Sequence, residues 1–273
     1  MNTLKKAASG LLALLVLLAL LSAGAAAAET GSISCDYILP GVTFRLYLVG
    51  RVTAQGSAPA GDFSEYPVDL TDTDAAVTLA AYALRDGLVP TAEDITDSGG
   101  HISFRGLEPG IYLLAGEQTV TETDICIPQP VLVQLPAGED WDRLVNLKYE
   151  RQPRTQSRCL SVRKLWAGTD ARPEPIEVQL LRDGTVVDTV ELRESNGWSH
   201  TWTELEGEAH WTVAEKNVPP GYTVTLTGEA GGYLLTNTWD GPPDTGDRGN
   251  FFWAAAMLSA CAGMLWITGR RKR

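Results

Sequence analysis

Apolar and polar residues alternate over many short stretches of this chain, which is the period of half-buried β-strands. Clear examples are LSVRKLW at 160–166 and GYLLTNTW at 232–239. Turn residues separate the stretches, and Asp183-Gly184 within LLRDGTVVDTVEL predicts a tight hairpin. Between residues 160 and 239 the pattern predicts about seven strands, at the spacing typical of a β-sandwich.

One helix interrupts the strands of the first half, in DTDAAVTLAAYALRDG. Asp72 or Asp74 can cap its start, and Gly87 can end it. Its apolar stripe is predicted at these positions: Val77, Ala81 and Leu84.

Further along the first half, HISFRGLEPGIYLL predicts two strands paired as a hairpin. The polar segment RQPRTQSR at 151–158 has no period and is predicted to be a linker. The pattern therefore predicts an all-β protein of two tandem Ig-like, Greek-key β-sandwich domains. They span residues 29–150, with the inserted helix, and residues 159–240.

Both ends of the chain carry segments of a different kind. Residues 1–28 have a basic start, an apolar run and a small-residue exit, which predicts a secretory signal peptide cleaved before Glu29. Residues 251–268 are uncharged and long enough to cross a bilayer as a transmembrane helix. The basic tail at 269–273 would remain in the cytoplasm. We therefore expect an exported chain that is held at its C-terminus.

The charge of the exported part excludes several partners. Residues 29–245 contain 15 Lys and Arg against 33 Asp and Glu. So acidic a surface argues against nucleic acid and against anionic lipid as ligands. The histidines show no metal-ligand spacing, and no phosphate loop or nucleophile elbow is present. We expect no cofactor, no metal and no enzyme activity.

Three cysteines lie in the exported part, where a disulfide could persist. Cys35 and Cys126 could pair and leave Cys159 free. Three free thiols are the alternative, and the sequence leaves both possibilities open.

Three predicted strands each place one polar residue on the apolar face: Lys164, Glu215 and Asn237. A buried amine loses its charge and becomes nucleophilic, while a buried carboxylic acid stays protonated near neutral pH. Such an acid can polarise the carboxamide and transfer the proton, so an amide between Lys164 and Asn237 could form with release of ammonia. The alternatives are a structural pair of Lys164 with Glu215, or a lysine that reaches out to water.

The second half also resembles a known family in VRKLW, IEVQLLRDG, WTVAEKNVPPGY and LLTNTW. Residues 160–239 look like a Cna B-type domain of Gram-positive surface proteins. Many members of that family form an intramolecular isopeptide bond between a lysine and an asparagine, assisted by an acid. The resemblance places the bond between Lys164 and Asn237 and gives Glu215 the acid's role.

The segment at 241–250, before the apolar span, contains PPDTGD and resembles the LPxTG sorting signal read by sortases. Its motif residues would be Pro242, Pro243, Asp244, Thr245 and Gly246, and Pro242 stands where leucine is usual. The resemblance implies cleavage between Thr245 and Gly246, with a sortase as partner. Thr245 would then be joined to a peptidoglycan precursor or to a neighbouring pilin. A plain membrane anchor is the alternative.

The first half resembles, less closely, the prealbumin-like N-terminal domains of sortase-assembled pilins. Polymerising pilins carry a lysine in a motif like WxxxVxVYPK. Here Trp141 and Val145 match, but Glu150 stands at the lysine position and Lys148 lies two residues earlier. Lys148 is therefore a candidate pilin lysine, and the alternative is an ordinary solvated side chain.

Together these features predict a structural protein anchored to the cell wall at the cell surface. The expected role is a minor or basal pilus subunit, or a stalk, with a cross-link in its second domain. The alternative is a monomeric adhesin whose first domain binds a host or matrix ligand.

Overall fold

The computed structural model describes residues 29–54, 56–168, 172–173, 175–229 and 231–241. The predicted signal peptide, the PPDTG motif and the predicted membrane span lie outside these residues. Among the residues described, no helix is long and apolar enough to cross a membrane.

The described part of the chain is mainly β-structure, as predicted, and we divide it into an N-terminal unit (residues 29–156) and a C-terminal unit (residues 157–241). The strands of the N-terminal unit are β1 (Gly31–Asp36), β2 (Thr43–Thr53), β3 (Gly56–Pro59), β4 (Ala92–Ile95), β5 (His101–Leu107), β6 (Gly110–Gly116), β7 (Thr119–Val120), β8 (Asp124–Pro128), β9 (Val131–Leu135), β10 (Asp142–Asn146) and β11 (Tyr149–Pro153). Its helices are the α-helix α1 (Ala75–Asp86) and the 3-10 helix Gly61–Glu65.

The strands of the C-terminal unit are β12 (Ser157–Ala167), β13 (Ile176–Arg182), β14 (Thr185–Leu192), β15 (Ser199–Glu206), β16 (Trp211–Glu215), β17 (Tyr222–Glu229) and β18 (Gly232–Trp239), with a 3-10 helix at Glu194–Asn196. They form two facing sheets, in the orders β15-β12-β18-β17 and β14-β13-β16. The first and last strands, β12 and β18, are parallel neighbours. The predicted hairpin is confirmed, because Asp183 and Gly184 at its turn have φ values of 50° and 83°.

The N-terminal unit is arranged around a five-stranded sheet whose two faces are both covered. Its order is β3-β2-β6-β9, with β4 also paired to β2. Phe44 and Leu46 pack towards the sheet β10-β1-β5, whereas Tyr47 and Val49 belong to the cluster that includes α1. A third sheet, β11-β8-β7, lies beside them.

The hairpin predicted within HISFRGLEPGIYLL is wrong. Strand β5 pairs with β1, while β6 pairs with β2 and β9, so the consecutive strands lie in different sheets. Gly106 has a φ of 69°, which turns the chain, and Pro109 has no N–H with which to pair. The turn between Leu107 and Gly110 therefore connects two sheets.

Three of the cysteines lie among the described residues. Cys35 and Cys126 are buried free thiols, and Cys159 is an exposed one. Strands β1 and β8 belong to different sheets, so the two buried cysteines are not cross-strand neighbours. Burial, and secondarily the charge of Asp36, raises the pKa of Cys35 to about 12. In the described part of the chain, Cys35, Cys126 and Cys159 are therefore all free thiols.

The segment predicted as a linker is largely strand. Strand β11 pairs with β8 as far as Pro153, and β12 begins at Ser157. Between them, Arg154 donates to the carbonyl of Thr121 over 3.1 Å and through Nε to Glu208 over 2.9 Å. Polar residues here hold the two units together, which is why the segment lacks an apolar period.

Helix α1 begins after Asp74 and ends at Gly87, which has a φ of 61°, as predicted. Asp74 occupies the N-cap position, but its side chain makes no capping hydrogen bond and accepts from Thr227 over 2.7 Å. The predicted single apolar stripe is incomplete, because residues 75–85 are all buried or half-buried. The helix lies between the five-stranded sheet and the C-terminal unit, within one apolar cluster that contains residues of both units. A helix covered on two sides needs apolar residues around most of its circumference.

Close contact between β12 and β18 gives a stability prediction. A Cβ added to Gly232 on β18 would lie 2.1 Å from the carbonyl oxygen of Ser161, whereas one added to Gly228 on β17 would meet nothing within 4 Å. We expect Gly232→Ala to lower the free energy of unfolding by about 2 kcal/mol, and Gly228→Ala to leave it almost unchanged. Thermal and denaturant unfolding of residues 29–245 would measure both. Equal effects would contradict the register of the two strands.

Candidate functional site

The lysine of β12 points into the sandwich, as its phase predicts. Leu160, Val162 and Lys164 are buried, and the intervening Arg163 and Leu165 are exposed. The side chain of Lys164 has 0% exposure, so it does not reach out to water. The alternative of a lysine whose amine lies in water is therefore wrong.

Glu215 approaches this lysine from the opposite sheet. It is the last residue of β16, whereas Asn237 lies on β18, the strand next to Lys164. Asn237 Nδ2 donates to Glu215 Oε1 over 3.0 Å, and Lys164 Nζ lies 3.5 Å from Glu215 Oε2. The structure thus brings together all three residues that the sequence analysis singled out.

Hydrogen bonding within the triad is incomplete. Within the described part of the chain, Lys164 Nζ, Glu215 Oε2 and Asn237 Oδ1 are buried without a hydrogen-bond partner. Burying polar atoms in this way is unfavourable, and native structures mostly avoid it. The contact between Lys164 Nζ and Glu215 Oε2 is thus at ion-pair distance and is longer than an ordinary hydrogen bond.

Burial controls the electrostatics of the pair. It lowers the pKa of Lys164 to about 8, against the opposing effect of the nearby Glu215 charge. It raises the pKa of Glu215, although Lys164 and the Asn237 hydrogen bond act in the other direction. Both shifts favour the neutral amine and the neutral acid, which are the forms that amide formation needs.

Aromatic rings enclose the amine. Lys164 Nζ lies 4.6 Å from the ring centroid of Trp166, which contacts Trp198 at 5.6 Å and Tyr222 at 5.2 Å. Trp166 was not among the residues predicted for the site. Its phase was a usable signal, because a residue two positions after Lys164 shares the same face of the strand.

The candidate pilin lysine is separate from this site. Lys148 lies between β10 and β11 and is exposed, and its backbone carbonyl accepts a hydrogen bond from Gln129 over 2.9 Å. Glu150 is also exposed, on β11. The surface position makes Lys148 accessible to a modifying enzyme.

Comparison with known proteins agrees with the geometry of the C-terminal unit. Residues 160–238 match the Cna protein B-type domain, so the buried triad lies inside a domain of this class. Collagen adhesin of Staphylococcus aureus is 36% identical over 89 residues, which are 30% of this chain and 7% of the adhesin. The likeness therefore covers a small part of that protein.

Two solved structures of similar proteins can be compared with the whole chain. A single B repeat unit of the collagen-binding surface protein Cna of S. aureus has a TM-score of 0.30 at 17% identity, covering 78% of this chain and 100% of that one. Shaft pilin SpaA of Lactobacillus rhamnosus GG has a TM-score of 0.28 at 15% identity, covering 78% and 99%. TM-scores this low do not establish a common fold.

The buried pair predicts a large effect of removing the acid. Glu215→Ala removes the carboxyl that faces Lys164 Nζ and accepts from Asn237 Nδ2, which leaves two buried polar groups without a partner. We expect a loss of about 3 kcal/mol or more in the free energy of unfolding. Glu177→Ala is the matched control, because Glu177 pairs with Lys216 at 2.9 Å on the surface. That exposed pair contributes about 0–1 kcal/mol. Denaturant unfolding compares the variants, and similar losses would contradict the burial of the first pair.

Proposed function

We propose that this chain is a structural protein of the Gram-positive cell surface whose C-terminal unit is closed by an isopeptide bond between Lys164 and Asn237. The observation that carries the proposal is the dry contact of these two residues with Glu215. The match of residues 160–238 to the Cna B-type domain supports it. The proposed reaction takes place between side chains of the same chain and needs no external substrate.

The bond forms by condensation of the Lys164 amine with the Asn237 carboxamide, which releases one ammonia. Neutral Lys164 Nζ attacks Asn237 Cγ, while Glu215, in its protonated form, polarises the carbonyl after the amide turns its Oδ1 towards the acid. A proton then passes from Nζ to Nδ2 through the Glu215 carboxyl, the Cγ–Nδ2 bond breaks, and ammonia leaves. The contact geometry replaces a bimolecular encounter, which removes most of the entropic barrier.

The proposed bond joins neighbouring strands at opposite ends of the unit's sequence. Because β12 and β18 are the first and last strands, the link closes almost the whole unit into one loop. By analogy with a disulfide, such closure stabilises the fold by about 4 kcal/mol through restriction of the unfolded chain. Tension between the two ends would also pass through the bond, without peeling the strands apart.

Intact mass tests the cross-link directly. Residues 29–245 should be lighter by one ammonia, and Lys164→Ala and Asn237→Ala should each restore the mass calculated for an unlinked chain. Lys216→Ala is the control, because this exposed lysine pairs with Glu177 and should leave the ammonia loss unchanged. A wild-type chain of full calculated mass would contradict the proposal.

We also propose that a sortase attaches this chain covalently to the cell wall or to another pilin subunit. We take Thr245 as the residue transferred by a sortase, either to a peptidoglycan precursor or to a neighbouring pilin. Lys148 is the candidate amine, since it is exposed and no ion pair or side-chain hydrogen bond is recorded for it in the described residues. Lys216 is already paired, and Lys164 is consumed internally. Glu150 at the position of the usual pilin lysine favours a minor or basal pilus subunit, or a stalk, over a polymerising backbone.

A denaturing gel of wall material released by a muramidase tests assembly. We expect high-mass bands that resist detergent, their loss in Thr245→Ala, and a shorter ladder in Lys148→Ala. Lys216→Ala should keep the wild-type ladder. A single band of the monomer with a wall fragment would refute the pilus role. It would favour the alternative role of a monomeric adhesin, in keeping with the similarity of part of this chain to collagen adhesin.

A further inference from the structure

Helix α1 of the N-terminal unit covers one open side of the C-terminal sandwich. Strands β16 and β17 are edge strands of opposite sheets, and α1 contacts both. The space between the helix and these strands is lined by Thr78, Ala81, Tyr82, Glu215, Val224 and Leu226, among others. It leaves no room for a water molecule. The triad is therefore walled on this side by a different unit of the chain.

Hydrogen bonds fix the helix and its preceding segment on the edge of β17. The N–H of Leu226 donates to Thr78 Oγ1 over 2.8 Å, and the N–H of Val224 donates to the carbonyl of Pro67 over 2.8 Å. Both N–H groups lie on the outer edge of the strand, which would otherwise remain unpaired or bind water. The N-terminal unit thus completes the edge of the sheet.

The contact reaches the acid of the triad itself. Arg85 Nη1 donates to the backbone carbonyl of Glu215 over 2.9 Å. The guanidinium of Arg85 lies 4.5 Å from the ring centroid of Tyr82 and 5.9 Å from that of Tyr66, and the two rings stack at 4.7 Å. Tyr82 lines the space beside Glu215, whereas Tyr66 does not.

We propose that α1 is a positioning element for the cross-linking reaction, and that Tyr82 is the residue that excludes water from Glu215. The inference rests on the proposed isopeptide bond. Water beside the carboxyl would stabilise the ionised pair and thus deplete the neutral amine and acid. The bond therefore forms in the docked protein, and its presence reports that the two units have docked.

A graded series at Tyr82 tests the proposal in the chain of residues 29–245. Protein made by cell-free translation is sampled over time, and the rate of ammonia loss is followed by intact mass. Tyr82→Phe keeps the ring and should keep the wild-type rate. We expect Tyr82→Ala to slow the reaction about tenfold, since one pKa unit changes the neutral population by that factor. Tyr82→Leu should fall between them.

Tyr66→Ala is the matched control. It removes the ring that stacks on Tyr82 but does not line the space beside Glu215, so it should lower thermal stability without slowing ammonia loss. Equal rates for Tyr82→Ala, Tyr82→Leu and wild type would overturn the positioning role and leave the cross-link standing. A wild-type chain that loses no ammonia would overturn both. If Tyr82→Ala does not fold, Tyr82→Leu decides.

Discussion

Lys164, Glu215 and Asn237 share one interior space to which three strands from two facing sheets contribute. Removal of water from this space determines their chemistry. A hydrated lysine and glutamate would form an ordinary ion pair, but burial shifts both pKa values towards the neutral forms. The packing around the triad therefore has to be tight, and Trp166 on one side and the neighbouring unit on the other provide it.

The two units pack tightly against each other, which helps to keep water away from the triad. One apolar cluster runs from the five-stranded sheet through α1 into the C-terminal sandwich. Arg154 and Glu208 fasten the connection at the segment between the units. The Cna B-type match ends at the limits of the C-terminal unit, although the packing does not. The segment that is similar in sequence to the family is thus shorter than the segment that packs around one apolar core.

Local patterns in the sequence were sufficient for much of this structure. Alternation identified the buried face of β12, and the Asp183-Gly184 turn and the end of α1 at Gly87 were correct. These features depend on neighbouring residues. The same phase argument selected the three residues of the triad, because a polar residue on an apolar face stands out in any strand.

Features that depend on distant contacts were missed. The pairing of β5 and the separation of Cys35 from Cys126 follow from sheet order, which alternation does not encode. The second buried face of α1, and with it the place of Tyr82, depends on a unit that begins some seventy residues later in the chain. Polar residues at 151–158 predicted a linker because hydrogen bonds to remote carbonyls leave no periodic signal.

Because α1 and the segment before it cover the edge of β17, the C-terminal unit depends on residues outside its own sequence. A domain whose edges are self-sufficient can be copied or recombined as an independent cassette. Here the N–H groups of Val224 and Leu226, on the outer edge of β17, donate to Pro67 and Thr78, which lie far upstream in the chain. Transfer of the C-terminal unit alone would release an unpaired strand edge that promotes aggregation. The smallest part of the chain in which this edge is satisfied is therefore larger than the recognisable domain and includes the helix.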